Sequence, residues 1–306
     1  MALERNPGDV HQAPRYRKRG NRCVERTKLS AGRRLAHCGS FRTFWCRSCS
    51  RARICRKKDE MIKLGLIGTP IAHSLSPEIQ QGFITASGIS GSYDLFEMST
   101  LPKEGLKAFM QHHGLVGLNV TIPFKEEVFN ALDSVDDVAK TLGAVNTVVL
   151  EKNRLVGYNT DVYGIEQSLI SLGCPPCKAL VFGSGGAAKA VSKVLKDNGF
   201  DALILSRGNP GASYDDLSEE VAAECKLWVN CTPVGTAGID PHLLPLPYAV
   251  LSEEFAIFDL VYKPNPTPLM KEGVQRGATV LGGEKMLIEQ AKKSWQLFHD
   301  AYYKNL

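Results

Sequence analysis

The chain has 306 residues and a mass of 33.5 kDa, enough for one large domain or two medium ones. Apolar residues make up 43% and charged residues 23%, a mix that can build a core and so excludes wholesale disorder. No run approaches the roughly eighteen consecutive apolar residues of a membrane-spanning helix. The net charge of +5 averages two unlike parts. Residues 1–60 hold 17 lysines and arginines against 5 acids, net +12, whereas the remainder holds 20 against 27, net −7. Five of the nine cysteines (Cys23, Cys38, Cys46, Cys49 and Cys55) also fall in the first sixty positions.

That first segment shows neither helical nor strand periodicity and lacks the apolar core of a secretory signal. Several readings compete for it. A basic arm can neutralise nucleic-acid phosphates. Cys46 and Cys49, with Cys55 and either Cys38 or His37, can hold zinc, although a single CxxC is a weak signal. Arginine and serine with few acids also suit an organellar transit peptide, which five cysteines argue against. The plainest reading is a basic, cysteine-rich extension that is disordered or not native to the working protein, because Met61 opens abruptly onto a strand. No metal is expected. Cys174, Cys177, Cys225 and Cys231 sit in apolar contexts and read as reduced packing residues of a cytoplasmic protein.

From Met61 onward strands and helices alternate. Lys63–Ile67 reads as a buried strand. Ser76, as N-cap ahead of Pro77, opens a helix running to about Ser87. Ser92–Glu97 is a second strand, and Pro102 opens a helix that ends before Gly114. Gly117–Thr121 is a strand stopped by Pro123, with a helical stretch beyond it. Ala144–Leu150 and Arg154–Tyr158 pair as a hairpin turning at Glu151–Asn153. A second unit starts near Asp161 with a helix to Leu172. The strand Ala179–Phe182, a glycine-rich turn, a helix to about Asn198 and the strand Ala202–Leu205 follow. Further strands read at Leu227–Asn230, Ala256–Leu260 and Thr279–Leu281. The spacing predicts α/β architecture, a parallel sheet with helices on both faces. Glu284–Lys304 is a long final helix whose stripe of Leu287, Ile288, Ala291, Trp295 and Phe298 faces a core.

Gly183, Ser184, Gly185, Gly186 and Ala187 lie between a strand and a helix. Small residues there let backbone N–H groups approach a pyrophosphate, and the helix start favours its charge. An ordinary tight turn is the bland alternative. An NAD site usually places a carboxylate after the next strand, for the ribose 2′-hydroxyl. Here that position reads Ser206-Arg207, and Arg207 can pair with a 2′-phosphate, which favours NADP.

The first unit carries polar residues that a plain scaffold does not need. They are Ser74 and Ser76 after the first strand, Thr121 and Lys125 after the third, Asn146, and Asn159-Thr160-Asp161 where the units meet. Each alone reads as a cap, a turn residue or surface charge. Together they suit a polyhydroxylated substrate with one carboxylate, held in a cleft between two α/β units.

These residues resemble shikimate dehydrogenases. The resemblance runs through Gly68–Pro77, Asn119–Lys125, Gly143–Thr147, Asn159–Asp161, Gly183–Ala187, Asn230–Gly235 and Met286–Gln290, in order, and covers essentially all of Met61–Leu306. It implies two domains, a Rossmann-like NADP-binding domain over 161–282 and a discontinuous α/β substrate-binding domain of 61–160 plus 283–306. It also implies reversible NADP-dependent reduction of 3-dehydroshikimate to shikimate, in chorismate and aromatic amino-acid biosynthesis. By the same resemblance Lys125 and Asp161 are the catalytic pair. Ser74, Ser76, Thr121, Asn146, Tyr262 and Gln290 meet the substrate. Gly183, Ser184, Gly185, Gly186, Ala187, Ser206, Arg207, Thr232 and Gly283 meet the cofactor. Hydride transfer to a ketone develops alkoxide character, which needs a proton or positive charge; a lysine fixed by an aspartate supplies either.

Three positions depart from the family pattern. A second arginine is missing from Gly208-Asn209-Pro210-Gly211, Glu284 and Lys285 replace smaller residues, and Thr236 stands where methionine is common. The expected partners are a small-molecule substrate and copies of the chain at most as a homodimer, with no membrane and no nucleic acid. The rivals are a quinate/shikimate dehydrogenase with NAD or mixed cofactor use and, more remotely, a non-catalytic nucleic-acid-associated protein using the basic arm.

Overall fold

The computed structural model describes residues 61–208 and 212–306. The readings of residues 1–60, zinc included, and of Asn209–Gly211 lie outside the described residues.

Two sheets organise these residues. The first uses β1 (Ile62–Gly68), β2 (Gly91–Glu97), β3 (Gly117–Val120), β4 (Ser134–Val135), β5 (Thr147–Glu151) and β6 (Arg154–Tyr158), in the order β2-β1-β3-β5-β6-β4. Its helices are α1 (Ser76–Ser87), α2 (Leu106–His113), α3 (Lys125–Phe129) and α4 (Asp137–Leu142). After α5 (Asp161–Leu172) comes the second sheet of β7 (Lys178–Phe182), β8 (Asp201–Leu205), β9 (Leu227–Asn230), β10 (Ala256–Asp259) and β11 (Thr279–Gly282), in the order β11-β10-β9-β7-β8. It carries α6 (Gly186–Asp197), α7 (Glu219–Glu224) and α8 (Pro268–Gln275), and α9 (Glu284–Asn305) closes the chain.

The second sheet meets the expectation of parallel strands, every neighbouring pair running in the same direction. Period-two alternation covers both faces. Ala179 and Val181 pack with Ile165, Leu169, Val191 and Val194 on one side, and Leu180 and Phe182 with Trp228, Ile257 and Leu269 on the other. The first sheet is mixed: β5 and β6 pair antiparallel, as the hairpin reading requires, and β5 also runs antiparallel to β3, which corrects the expectation of a parallel sheet there. The hairpin's reversal is local: β5 and β6 are joined by a two-residue turn at Lys152 (φ 46°) and Asn153 (φ 68°), a geometry that matches strand twist.

The last helix returns to the first sheet. Phe298 and Ala301 of α9 are buried with Ile62, Leu64, Leu66 and Val149. The strand accepts this through Gly117, where a Cβ would sit 2.1 Å from the Phe298 ring. The α5 helix lies against α9 just as closely, since a Cβ on Gly164 would come within 2.7 Å of the Met286 carbonyl oxygen.

Several expectations need correction. Ser76 is the first residue of α1, not its cap; Leu75 occupies that place, and the Ser74 hydroxyl accepts the Ser76 N–H at 3.2 Å. The second helix begins at Leu106 instead of Pro102, after Gly105 at φ 88°. The hairpin's first strand begins at Thr147, three residues later than read. On α9, Ile288 is exposed, while Ser294 joins Ala291 and Phe298 on the buried face. The elements β4, α4, α7 and α8, two to eight residues long, are too short to stand out as periodic segments of the sequence. The four cysteines anticipated as reduced are free thiols, with Cys174 and Cys177 3.8 Å apart at their sulfurs. Among the described residues no helix is long and apolar enough to cross a membrane.

Candidate active site

The turn after β3 delivers Lys125 as the first residue of α3, and the chain leaving β6 delivers Asp161 as the first residue of α5. Their side chains meet, Lys125 Nζ lying 2.6 Å from Asp161 Oδ2, with 31% and 18% of the side chains exposed. A carboxylate in the first turn of a helix is favoured by the helix dipole. The Asp161 N–H is itself held by Asn159 Oδ1 at 3.1 Å. The second carboxylate oxygen, Oδ1, accepts from Asn146 Nδ2 at 2.9 Å. That amide can point only one way, because Asn146 Oδ1 receives the Thr160 N–H at 2.8 Å. Both carboxylate oxygens are therefore committed, and the ammonium is aimed.

Behind this pair lies a buried polar network. Asn119 Nδ2 donates to the Asn146 carbonyl (3.2 Å), Thr147 Oγ1 (3.1 Å) and Ser294 Oγ (3.1 Å). Its Oδ1 accepts from the Tyr93 hydroxyl at 2.9 Å. Ser294 Oγ lies 2.8 Å from Thr147 Oγ1 and 3.0 Å from Thr160 Oγ1. Asn119, Asn146, Thr147, Thr160 and Ser294 are all buried. Burial pushes the Tyr93 phenol above its ordinary value, and the Ser76 hydroxyl, its hydrogen-bond partner, acts in the opposite sense. Ser76 is thereby joined to the network, and Ser74 is joined to Ser76. Gln290 reaches it through Thr160 Oγ1 at 3.4 Å. Thr121 caps the end of β1, where a Cβ on Gly68 would meet its methyl at 2.3 Å.

Of the residues singled out in the sequence, the structure thus gathers Ser74, Ser76, Asn146, Gln290, Lys125 and Asp161. Tyr262 does not join them; it follows β10, half-buried, and makes no hydrogen bond to this group among the described residues. Sequence reasoning assigned no role to Tyr93, Thr147 and Ser294, and none to Asn119 within its motif. A serine on the inner face of α9 and an asparagine inside the apolar run of β3 were the available signals.

The second sheet presents a different surface. β7 is followed by Gly183 at φ 112°, and α6 starts after Gly185 with no side-chain cap. A Cβ on Gly185 or Gly186 would meet nothing within 4 Å, so this side of the turn is open, and no side chain caps the first N–H groups of α6. Ser184 and Ala187 are exposed beside them. Thr232 borders the turn from the β9 side, its methyl 3.2 Å from where a Gly183 Cβ would be. Ser206 ends β8 by donating its N–H to the Ala212 carbonyl at 3.0 Å. Arg207 is exposed and borders a cleft of about 350 Å³, with Ser213, Tyr214, Asp240 and His242 among its other walls. A glycine turn with open space beside it at an uncapped helix start, with an arginine just after the next strand, fits a dinucleotide carrying a 2′-phosphate. Gly283 has a packing reason as well, since a Cβ there would lie 2.0 Å from the Leu260 carbonyl oxygen.

A parallel sheet with a glycine turn, beside a mixed sheet carrying an aimed lysine–aspartate pair, defines the class of two-sheet α/β dehydrogenases. Residues 66–148 match the family model for the shikimate dehydrogenase substrate binding domain. The shikimate dehydrogenase (NADP(+)) of Aquifex aeolicus is 36% identical over 249 residues, which cover 77% of this chain and 90% of that protein. A crystal structure of the Thermus thermophilus enzyme in complex with NADP(H) and shikimate superposes with a TM-score of 0.69 at 34% identity, over 78% of this chain and 94% of that one. Quinate dehydrogenase from Corynebacterium glutamicum in complex with NAD is similar at a TM-score of 0.70 and 28% identity, covering 78% and 94%. The chain belongs to the shikimate dehydrogenase family.

Proposed function

We propose that the protein catalyses the reversible, NADP-dependent reduction of 3-dehydroshikimate to shikimate, a step toward chorismate and the aromatic amino acids. The observation that carries this reading is the Lys125–Asp161 pair, 2.6 Å apart and fixed by Asn146. The cofactor supplies the hydride; the protein supplies position and charge. The Lys125 ammonium, immobilised by Asp161, stands ready to neutralise or protonate an oxygen that gains negative charge. Ser74, Ser76, Thr121, Asn146 and Gln290 offer hydroxyls and amides to a ring bearing several hydroxyl groups, with Tyr262 contributing from the loop after β10. The backbone from Gly183 to Ala187, with Ser206, Thr232 and Gly283, would hold the dinucleotide, and Arg207 its 2′-phosphate. In this reading 61–160 with 283–306 serve the substrate and 161–282 the cofactor.

The test is shikimate oxidation by the full chain, followed at 340 nm, with NADP or NAD and with shikimate or quinate. A kcat/KM highest for shikimate with NADP is expected. The similarity to a quinate dehydrogenase in complex with NAD gives the rival a definite outcome: preference for quinate and NAD would replace this reading.

A further inference from the structure

Asp259 is fully buried at the end of β10, and among the described residues its carboxylate has donors but no cationic neighbour. Its Oδ1 accepts from Asn230 Nδ2 at 2.8 Å and from the Val261 N–H at 3.0 Å, and its Oδ2 accepts from the Thr267 hydroxyl at 2.6 Å. The donors come from two places in the chain, Asn230 from the end of β9 and both Val261 and Thr267 from the connection between β10 and α8. Asn230 ends β9, and its Oδ1 receives both the N–H (3.0 Å) and the hydroxyl (2.7 Å) of Thr232, while its Nδ2 also reaches the Val234 carbonyl at 3.0 Å. Thr267 caps α8 by accepting the Met270 N–H at 3.1 Å. Val261 leads into Tyr262, and its carbonyl receives the Gly283 N–H at 3.1 Å where α9 begins.

A buried carboxylate without a counter-charge is costly, so a purely structural position would be better served by neutral groups. What it offers here is acceptor capacity, with three donors converging on one side chain. Through them it spans Thr232, which borders the glycine turn, and the segment that carries Tyr262. We propose that Asp259 is a positioning residue for dinucleotide binding, setting the loops after β9 and β10 in one register with the glycine turn. The inference rests on the proposed cofactor use and adds to it a residue that touches neither cofactor nor substrate.

The experiment measures the dissociation constant of NADPH by fluorescence titration for the full chain and for Asp259→Asn, Asp259→Ala and Thr267→Val, with circular dichroism and thermal melts alongside. KM for shikimate is measured on the same proteins. Asp259→Ala is expected to weaken NADPH binding at least tenfold at a temperature where it remains folded, with KM for shikimate within about threefold of the parent. Asp259→Asn, which keeps the shape and one acceptor, should recover most of the loss. Thr267→Val, which leaves the Asn230 arm intact, should fall between them. If Asp259→Ala does not fold, the Asn and Val variants carry the test. Folded variants that bind NADPH as the parent does, or that lose shikimate and NADPH affinity in parallel with their melting temperatures, would overturn the inference alone. A parent protein with no affinity for NADPH would overturn the proposed cofactor use, and this inference with it.

Discussion

At the first sheet, hydroxyls and amides are buried and bonded to one another, and the charged pair Lys125 and Asp161 stands at the edge of that network, partly exposed. Along the carboxyl edge of the second sheet the arrangement is reversed: α6 starts with no side-chain cap and Arg207 is exposed, while a carboxylate, Asp259, is buried at the end of β10. The first arrangement suits a small ligand whose every hydroxyl must be met by a fixed partner, because side chains already bonded need little reorganisation. The second suits a large, anionic ligand that brings its own charge and is recognised mainly by backbone. One region is pre-organised by side chains, the other by chain path.

Four substitutions or conditions would break or sharpen that contrast. The largest effect is expected at the charged edge of the first sheet. Lys125→Ala should lower kcat for shikimate oxidation by about 10²–10⁴ while KM for shikimate changes little, because the group acts on charge that develops during reaction. Steady-state kinetics decides this, and near-normal kcat would remove Lys125 from the chemistry.

The buried carboxylate of the second sheet should show itself as a pH dependence. Burial raises the Asp259 carboxyl from 3.8 to about 6, outweighing the bonds from Thr267, Val261 and Asn230. The folded protein thus holds a proton there that the unfolded chain releases near its ordinary value. The associated stability is fully present below about pH 3.8 and is lost as pH rises through about 6. Other carboxylates titrate in the same window, so the comparison is with Asp259→Asn. Urea unfolding should show the parent losing up to about 3 kcal/mol relative to that variant between pH 4 and 6, then holding level. A constant difference across that range would contradict it.

Truncating the centre of the first-sheet network comes next. Asn119→Ala leaves the Tyr93, Thr147 and Ser294 hydroxyls short of a partner and should cost about 1–3 kcal/mol of stability, read from the denaturation midpoint. A cost below about 0.5 kcal/mol would show that the network is not the organising element here.

The smallest effect belongs to the exposed arginine. Arg207→Ala should raise KM for NADPH about tenfold, a loss near 1.4 kcal/mol, and leave KM for NADH unchanged, since only the former carries a 2′-phosphate. Equal effects on both cofactors would mean that Arg207 acts on something they share.

Much of the plan was legible in the chain itself. Apolar runs such as Ala179–Phe182, followed by glycine, mark buried parallel strands, and the Lys152–Asn153 position marks a reversal by its turn chemistry alone. The glycine turn, Arg207, Lys125, Asp161 and Asn146 stood out because their residue types are unneeded by a plain scaffold. Boundaries set by packing were not legible. Pro102 is a good helix opener, yet α2 waits for Leu106, the first residue of that segment that the core buries. Ser294 reads as one polar position on an amphipathic helix until Phe298, seated over Gly117, turns that face onto the first sheet. Asp259 reads as an ordinary strand-ending residue until Asn230 and Thr267 arrive from elsewhere in the chain.

Local chemistry therefore determined which segments are strands, which turn has room for phosphate and which side chains carry reactive groups, because propensity, turn geometry and functional group are properties of a few adjacent residues. The tertiary structure alone decided that Asn119, Asn146, Thr147, Thr160 and Ser294 form one network, and that the segments after β9 and β10 share one carboxylate. The reason is that hydrogen-bond satisfaction in a buried site is settled between residues as much as 175 positions apart, as Asn119 and Ser294 are, and no local pattern records such a distance.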